Sequence, residues 1–183
     1  MKRISCLLFF LCFVSSCFFS CKKVTSEKFQ KIETLKITFE DGTFFTGNRI
    51  PDSEKKGNYF SKISHEIPYG GGLYYKIPDS LLNKDIKVII NSKLRTNESF
   101  TYGHLFAVTL NSTDQQLFWS QIDLDPHISQ KNKWIEMKDS TLIPSSKNNK
   151  KGAEIRVFGF NDSKKSYMEY DNLEVTFLSS INN

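Results

Sequence analysis

No cysteine follows residue 21 in this chain of 183 residues, since all four lie at positions 6, 12, 17 and 21. The folded part therefore contains no disulfide and no thiolate metal site. Histidine is also scarce, with three widely spaced copies and no HExxH pair, and no GxSxG elbow occurs. These absences exclude the commonest metalloprotease, serine hydrolase and cysteine-dependent arrangements.

A strong charge of either sign is also missing. The formal net charge is +5, of which Lys2 and Arg3 supply two units. The other lysines are scattered or lie in turn-like runs such as "SSKNNKKG", which is typical of a solvated loop. We therefore expect no nucleic-acid partner.

The N-terminus, "MKRISCLLFFLCFVSSCFFSCKK", has the form of a targeting segment. A basic start followed by a short apolar region marks a secretory signal peptide. The apolar stretch from Ile4 to Cys21 lies at the lower limit for a transmembrane helix, which is the alternative interpretation.

Within this segment "VSSC" resembles the bacterial lipobox, with an apolar residue at −3 and small residues before the cysteine. The resemblance implies cleavage before Cys17, acylation of Cys17 and stable attachment to a membrane. "FFSC" makes Cys21 the alternative. We expect a signal peptide over 1–16, a lipidated cysteine and polar tether over 17–33, a folded domain over 34–178 and a tail over 179–183.

The body of the chain alternates apolar and polar residues in nine short runs separated by turn-like clusters. This pattern predicts an all-β fold, a single jelly-roll sandwich of about nine antiparallel strands. "QLFWSQIDL" is apolar on both faces, which predicts a central strand. Only "IPDSLLNK" suggests a helical turn, capped by Asp79 or Ser80.

The motifs "ITFEDG", "YYKIPDSLLNKDIKVIINSKL", "LFWSQIDL", "KWIEM", "EIRVFGFN" and "YMEYDNLEVTF" follow one another at jelly-roll spacing. Their succession resembles the galactose-binding-like β-sandwiches, the fold of many carbohydrate-binding modules. The resemblance implies a non-catalytic domain, often sugar-binding, with a structural Ca²⁺ near the paired terminal strands. Where such domains often have two acidic residues, this chain has Asp171 and Asn172.

The first and last strands each place acids in line with apolar residues. Asp41 continues the phase of "LKITF" beside Glu40, and Asp171 shares the phase of "LEVTF". If the two strands pair antiparallel, these acids converge and Ca²⁺ suits them. We therefore predict a structural calcium site at Glu40, Asp41 and Asp171. The alternative is that Asp171 accepts hydrogen bonds from amides of a turn or bulge.

The candidate ligand residues are aromatic, together with one arginine. Trp119 and Trp134 lie in apolar strands, where core packing is the competing interpretation. Tyr69, Tyr74 and Tyr102 adjoin predicted loops, where ligand residues concentrate. The residues predicted to bind a ligand are Tyr102, Trp119, Tyr74 and Arg156.

Two further motifs have a structural interpretation. "YGGGLYY" precedes a strand and not a helix, so we expect Gly70 to Gly72 to form a tight turn and no phosphate cradle. "DLDPH" clusters Asp123, Asp125 and His127, but its proline favours a turn that ends a strand.

The expected function is that of a non-catalytic, lipid-anchored protein on the outer membrane or cell surface of a Gram-negative bacterium. Its sandwich would bind a glycan or an envelope protein. The alternatives are a structural or assembly subunit of an envelope complex without a small ligand, and a small glycan hydrolase.

Overall fold

The computed structural model describes residues 28–40, 47–98, 103–113, 115–162 and 166–181. Two antiparallel sheets enclose one hydrophobic core, which confirms the predicted all-β sandwich. The strands in these residues are β1 (Phe29–Ile37), β2 (Ile50–Pro51), β3 (Tyr59–Ile63), β4 (Tyr69–Lys76), β5 (Ile86–Arg95), β6 (His104–Ser112), β7 (Gln115–Asp123), β8 (Ile135–Ile143), β9 (Glu154–Asn161) and β10 (Met168–Ser180).

The last strand lies at the centre of the larger sheet. That sheet has the order β2-β3-β10-β5-β8, and β1 also pairs with β10. The smaller sheet has the order β4-β9-β6-β7. Leu35 of β1 lies opposite Val175 of β10 in antiparallel register, so the chain's two end strands pair as the calcium hypothesis requires.

Nine of the strands coincide with the nine predicted runs, and β2 is additional. β2 has only two residues, Ile50 and Pro51, too few to show alternation. β1 begins at Phe29, inside the segment predicted as a tether, because its polar residues pair with β10 at a solvent-facing edge. β10 likewise continues to Ser180, into the segment predicted as a tail.

Two short 3₁₀ turns join strands. The turn Asp79–Leu81 matches the predicted helical turn, but its N-cap is Pro78 and no side chain caps it, so the predicted cap is wrong. The turn Asp125–His127 directly follows β7 and confirms the turn predicted from "DPH".

The side chain of Tyr170 joins the two sheets. It extends from β10 across the core, and its hydroxyl donates to the carbonyl of Gly71 in β4. The same oxygen accepts from the backbone N–H of Gly159 in β9, at 3.2 Å. Burial raises the pKa of Tyr170 far above its ordinary value, so the hydroxyl stays protonated and can donate.

The glycines of "YGGGLYY" allow this contact, and the predicted tight turn is wrong. They lie inside β4, where the register shifts between Tyr69 and Gly72. A Cβ on Gly70 would overlap the Tyr170 hydroxyl, and one on Gly159 would lie 2.6 Å from it. Glycine is needed at these positions because the tyrosine occupies the space that a side chain would fill.

Aromatic rings surround this connection and extend it along the core. The ring of Phe106 meets Tyr170 edge-on at 5.0 Å between centroids, and that of Phe39 does so at 5.7 Å. Further along the core, Tyr75 of β4 stacks on Phe177 of β10 at 4.5 Å. Such pairs stabilise a core beyond the burial of their area.

Replacing Tyr170 by Phe should lower the free energy of unfolding by about 1–3 kcal/mol. The change leaves the Gly71 carbonyl and the Gly159 N–H without the hydroxyl inside the core. Gly159→Ala should cost a similar amount, about 1–3 kcal/mol, through overpacking. Urea unfolding followed by circular dichroism measures both.

The matched control is Tyr69→Phe, which removes a hydroxyl from a side chain that is 55% exposed. Its free energy of unfolding should stay within about 0.5 kcal/mol of the wild type. Equal stabilities of Tyr170→Phe and Tyr69→Phe would contradict the role given to the buried hydroxyl.

Candidate functional site

The outer side of the smaller sheet carries a group of aromatic side chains. Alternation along β9 buries Ile155 and Val157 and turns Arg156, Phe158 and Phe160 outward. Neighbouring strands add outward-facing aromatics at the positions paired with these residues. We name this group the aromatic face; it consists of Tyr69, Tyr74, Trp119, Phe158 and Phe160.

Strand register brings three of the four predicted ligand residues into one row. Tyr74 of β4 pairs with Arg156 of β9, Arg156 pairs with Thr109 of β6, and Thr109 pairs with Trp119 of β7. The row therefore crosses all four strands. Tyr102, the fourth predicted ligand residue, lies outside the described residues.

The rings of the aromatic face lie close to one another. The ring centroid of Trp119 is 6.4 Å from that of Phe158 and 6.1 Å from that of Phe160. Tyr69 lies 5.3 Å from Phe160 on the other side. The two phenylalanines thus connect aromatic residues on both edges of the sheet.

These aromatic side chains are unusually exposed. Tyr69, Tyr74 and Trp119 have 55%, 52% and 41% of their surface in contact with solvent. β7 is an edge strand, so the prediction of a central strand from its two apolar faces is wrong. Trp119 makes the second face apolar because it belongs to this surface and not to a core.

Polar groups with balanced charge flank the rings. The Nε of Arg156 donates to a carboxylate oxygen of Glu154 at 2.5 Å, and Lys76 lies opposite Glu154 in the strand register. Asp123 lies at the far end of β7, where Gln121 donates to it at 3.4 Å. Two cations and two carboxylates therefore surround the aromatic face.

Phe158 and Phe160 were not among the sequence candidates. The alternation in "EIRVFGF" carries the signal, because two of the positions out of phase with Ile155 and Val157 are phenylalanines. Trp134 does not join the aromatic face; its ring packs edge-on against Phe60 and under the guanidinium of Arg95, 4.5 Å away.

A second candidate site surrounds Asp171. Asn172 has a positive φ of 52°, and the pairing with β5 shifts register between Asp171 and Glu174, so β10 contains a bulge here. The carboxylate of Asp171 accepts from the backbone N–H of Asn172 at 2.6 Å and from its side chain at 3.0 Å. Amides of the bulge therefore satisfy the Asp171 carboxylate, which confirms the alternative prediction.

This bulge opens into a cleft of about 720 Å³, which we name the bulge cleft. Glu40, Asp52 and Asp171 line it together with Lys93 and Trp134. Burial is the main cause that raises the pKa of Asp171 to about 6, and the carboxylates of Glu40 and Asp52 add to the rise. The Asn172 N–H and Lys93 act against it.

The predicted calcium ligands meet only in part. Glu40 and Asp171 line the same cleft, whereas Asp41 lies outside the described residues. Among the described residues, no three His, Cys, Asp or Glu side chains are grouped closely enough to hold a metal ion. Glu40 and Asp171 therefore do not complete a calcium site by themselves.

The "DLDPH" cluster divides between two contacts. His104 Nδ1 lies 2.8 Å from Asp125 Oδ1, and its Nε2 lies 3.3 Å from Ser166 Oγ. His127 instead lies 3.3 Å from Asp139. His104 lies between Ser166 and Asp125, as the histidine of a hydrolase triad lies between its serine and its acid. However, His104 and Ser166 are buried, so a substrate has no access to them. We interpret this cluster as a connection between three chain segments.

The predicted lipidation sites, Cys17 and its alternative Cys21, lie outside the described residues. Within the described part of the chain, no helix has the length and apolar character needed to cross a membrane.

The stability of the protein should fall as the pH rises through about 6. The pKa of Asp171 is raised from 3.8 to about 6, so between these pH values the folded protein keeps a proton that the unfolded chain releases. Asp171→Asn removes this group and should reduce the loss of Tm between pH 5 and pH 8. Asp162→Asn, at an exposed position, is the control. The same pH dependence in all three proteins would contradict the prediction.

The calcium site remains a prediction, which thermal melts can test. Bound Ca²⁺ would raise the Tm at neutral pH, a chelator would reverse the rise, and Asp171→Asn would abolish it. Mg²⁺, which requires stricter geometry, is the matched control ion. A Tm that calcium and chelator both leave unchanged would rule out the site.

No protein-family model matches the chain, and no curated protein matches it in sequence. Similar solved structures include the CBM22-1 xylan-binding domain of Paenibacillus barcinonensis Xyn10C, at 12% identity and a TM-score of 0.43, over 86% of this chain and 99% of that one.

Two others are the CBM22-1–GH10 modules of Clostridium thermocellum xylanase 10B with xylohexaose, at 12% identity and a TM-score of 0.42, and the VP2 subviral particle of infectious bursal disease virus, at 9% and 0.42. They match 82% and 81% of this chain, which spans 26% and 32% of theirs. Similarity at this level concerns the β-sandwich fold and assigns no ligand to this chain.

Proposed function

We propose that this protein is a non-catalytic, lipid-anchored β-sandwich of the Gram-negative cell envelope that binds a neutral glycan on its aromatic face. The observation that carries the proposal is the exposure of Tyr69, Tyr74 and Trp119 on one side of one sheet.

The exposed rings of Tyr69 and Trp119 both pack against the two phenylalanines of the aromatic face, and such a surface suits a ligand with flat apolar patches. A contiguous apolar surface on a soluble domain commonly marks a binding site. The C–H faces of a pyranose ring stack on aromatic rings, and its hydroxyl groups bond to neighbouring polar side chains. Gln121 and Asp123 are exposed on the outward side of β7 and can act as such partners.

The arrangement favours an extended chain over a single sugar. The row from Tyr74 to Trp119 crosses four strands, and adjacent strands are about 4.8 Å apart, so the row spans roughly 14 Å. Several sugar residues fit along such a surface. The ligand class that we infer is therefore an oligosaccharide or a polysaccharide.

Charge favours a neutral ligand. Arg156 bonds to Glu154, and Lys76 lies opposite the same carboxylate, so the cations of this surface have a carboxylate at hand. A sulfated or uronic-acid polymer would need cations that are available to it. Neutral hydroxyl groups need only donors and acceptors.

The carboxylates of this surface do not support glycoside hydrolysis. Catalytic carboxyl pairs stand about 5–10 Å apart. In the strand register Asp123 lies level with Phe160, six residues along β9 from Glu154. At about 3.4 Å per residue this separation is roughly 20 Å. Among the described residues, these two acids therefore suit binding and not cleavage.

Anchoring rests on the N-terminal sequence. The basic start, the apolar stretch and the lipobox-like "VSSC" support lipidation of Cys17, with Cys21 as the alternative. A lipid anchor would hold the sandwich at the membrane while the aromatic face meets the glycan.

Trp119→Ala and Tyr74→Ala should each weaken glycan binding by about fivefold or more, because each removes a stacking surface worth more than about 1 kcal/mol. A glycan array identifies the polymer, and affinity electrophoresis in gels that contain it gives the dissociation constants. Binding should change little between low and high salt, as a neutral ligand requires.

Leu142→Ala is the matched control, because Leu142 is 42% exposed, as Trp119 is 41%, but lies on the larger sheet. An array without hits, or binding that Trp119→Ala leaves intact, would overturn the proposal. A stable envelope protein captured in place of a glycan would favour the assembly-subunit alternative.

A further inference from the structure

Lysines concentrate at the end of the sandwich where the chain enters from its N-terminal segment. β1 begins at this end, and Phe29 lies opposite Ser180 of β10. The loop before β5 and the loop between β8 and β9 lie there too. We name this surface the lysine end; its cations are Lys28, Lys31, Lys84, Lys147, Lys150 and Lys151.

Hydrogen bonds hold these segments together. The N–H of Ile181 donates to the carbonyl of Lys28 at 2.9 Å. The N–H of Asn83 donates to the carbonyl of Asn148 at 2.6 Å, and the buried Asn148 side chain donates to the carbonyls of Leu81 and Lys84. The lysines are thus carried by loops that are fixed to one another.

The lysine end is exposed and strongly positive. Five of its six lysines are exposed, and Lys84 is half-buried. Segments 28–31, 77–85 and 144–153 contain two carboxylates, Asp79 and Asp85. Asp79 lies 3.2 Å from Lys151, and Asp85 accepts the N–H of Ser145. Six cations against two carboxylates give these segments a net charge of +4.

The position of this charge in the chain indicates its partner. Six residues separate Lys28 from the end of the apolar N-terminal stretch, and ten residues separate it from Cys17. Even when fully extended, ten residues span at most about 33–36 Å. A lipid at Cys17 would therefore hold the lysine end close to the headgroups and at high effective concentration.

We propose that the lysine end docks on the anionic phospholipid headgroups of the membrane that holds the anchor, and so orients the sandwich on the bilayer. Lysine suits this role because its ammonium is a point charge that needs no fixed partner geometry. The inference rests on the proposed anchoring, which supplies the proximity.

Docking in this orientation leaves the aromatic face free. The row from Tyr74 to Trp119 lies on the side of the sandwich, along the outer surface of the smaller sheet. The strands then stand away from the membrane, and a glycan can approach from the side. The anchored protein would present its aromatic face along the bilayer and not against it.

The test uses the full chain, purified with its N-terminal lipid and reconstituted in vesicles of phosphatidylcholine with or without phosphatidylglycerol. Amide exchange in segment 144–152 should be slower on the anionic vesicles, and 0.5 M NaCl should remove the difference. The triple variant Lys147→Gln, Lys150→Gln, Lys151→Gln should lose about tenfold or more of this protection, since each lysine near an anionic surface contributes roughly fivefold.

The control variant replaces three exposed lysines elsewhere, as Lys55→Gln, Lys56→Gln and Lys131→Gln. Its net charge equals that of the first triple variant. It should retain the protection. Equal exchange on neutral and anionic vesicles, or equal loss in both variants, would overturn docking. A flotation experiment tests the anchor separately. If the chain failed to float with neutral vesicles, lipidation of its N-terminus would be refuted. Salt-sensitive flotation with anionic vesicles would still support docking through the lysine end.

Discussion

The hydroxyl group of Tyr170 is the connection on which the packing of the two sheets depends. It leaves β10 in the larger sheet and reaches backbone groups of β4 and β9 in the smaller one. Glycines at positions 70 and 159 leave room for the tyrosine side chain, and the rings of Phe39 and Phe106 pack against it. β4 and β9 also carry Tyr69, Arg156 and the two outward-facing phenylalanines, so the same buried contact holds the strands of the aromatic face against the core.

Strand β10 joins the structural and the electrostatic features of the molecule. Its N-terminal half pairs with β3 and its C-terminal half with β1, while β5 runs along the other side. The bulge at Asp171 and Asn172 falls between those halves. It reverses the alternation, so Tyr170 and Leu173 both reach the core although they are three residues apart. The carboxylate between them is largely withdrawn from water in the bulge cleft, and this burial, with a smaller contribution from the neighbouring acids, raises its pKa.

Much of the fold was predictable because alternation is a local property. Nine strands follow from it, whereas the two-residue β2 and the polar start of β1 exist only through their partners. The sequence suggested the bulge only as an alternative, since strict alternation places Asp171 in phase with Leu173 and Tyr170 on the opposite side. Local patterns also give no sheet order, so the apolar faces of β7 indicated a central strand where the fold has an edge.

The candidate site shows the same limit. Trp119, Tyr74 and Arg156 were identified as separate residues, but only the register of four strands places them in one row. Phe158 and Phe160 had a signal in the sequence, since every outward position of β9 from Arg156 onward is large and none is small. That signal becomes interpretable only when the inward side of the strand is known.

The row of side chains crosses four strands, and adjacent strands in a sheet are rotated by roughly 20–25°. Across the three intervals between Tyr74 and Trp119 this rotation amounts to about 60–75°. The rings at the two edges of the sheet therefore cannot lie in one plane. A rigid flat surface, such as the face of a crystalline polymer, would touch one edge and miss the other. A single polysaccharide chain that winds about its own axis could follow the rings from edge to edge. The twist of the sheet therefore favours single soluble chains over packed fibres as ligands.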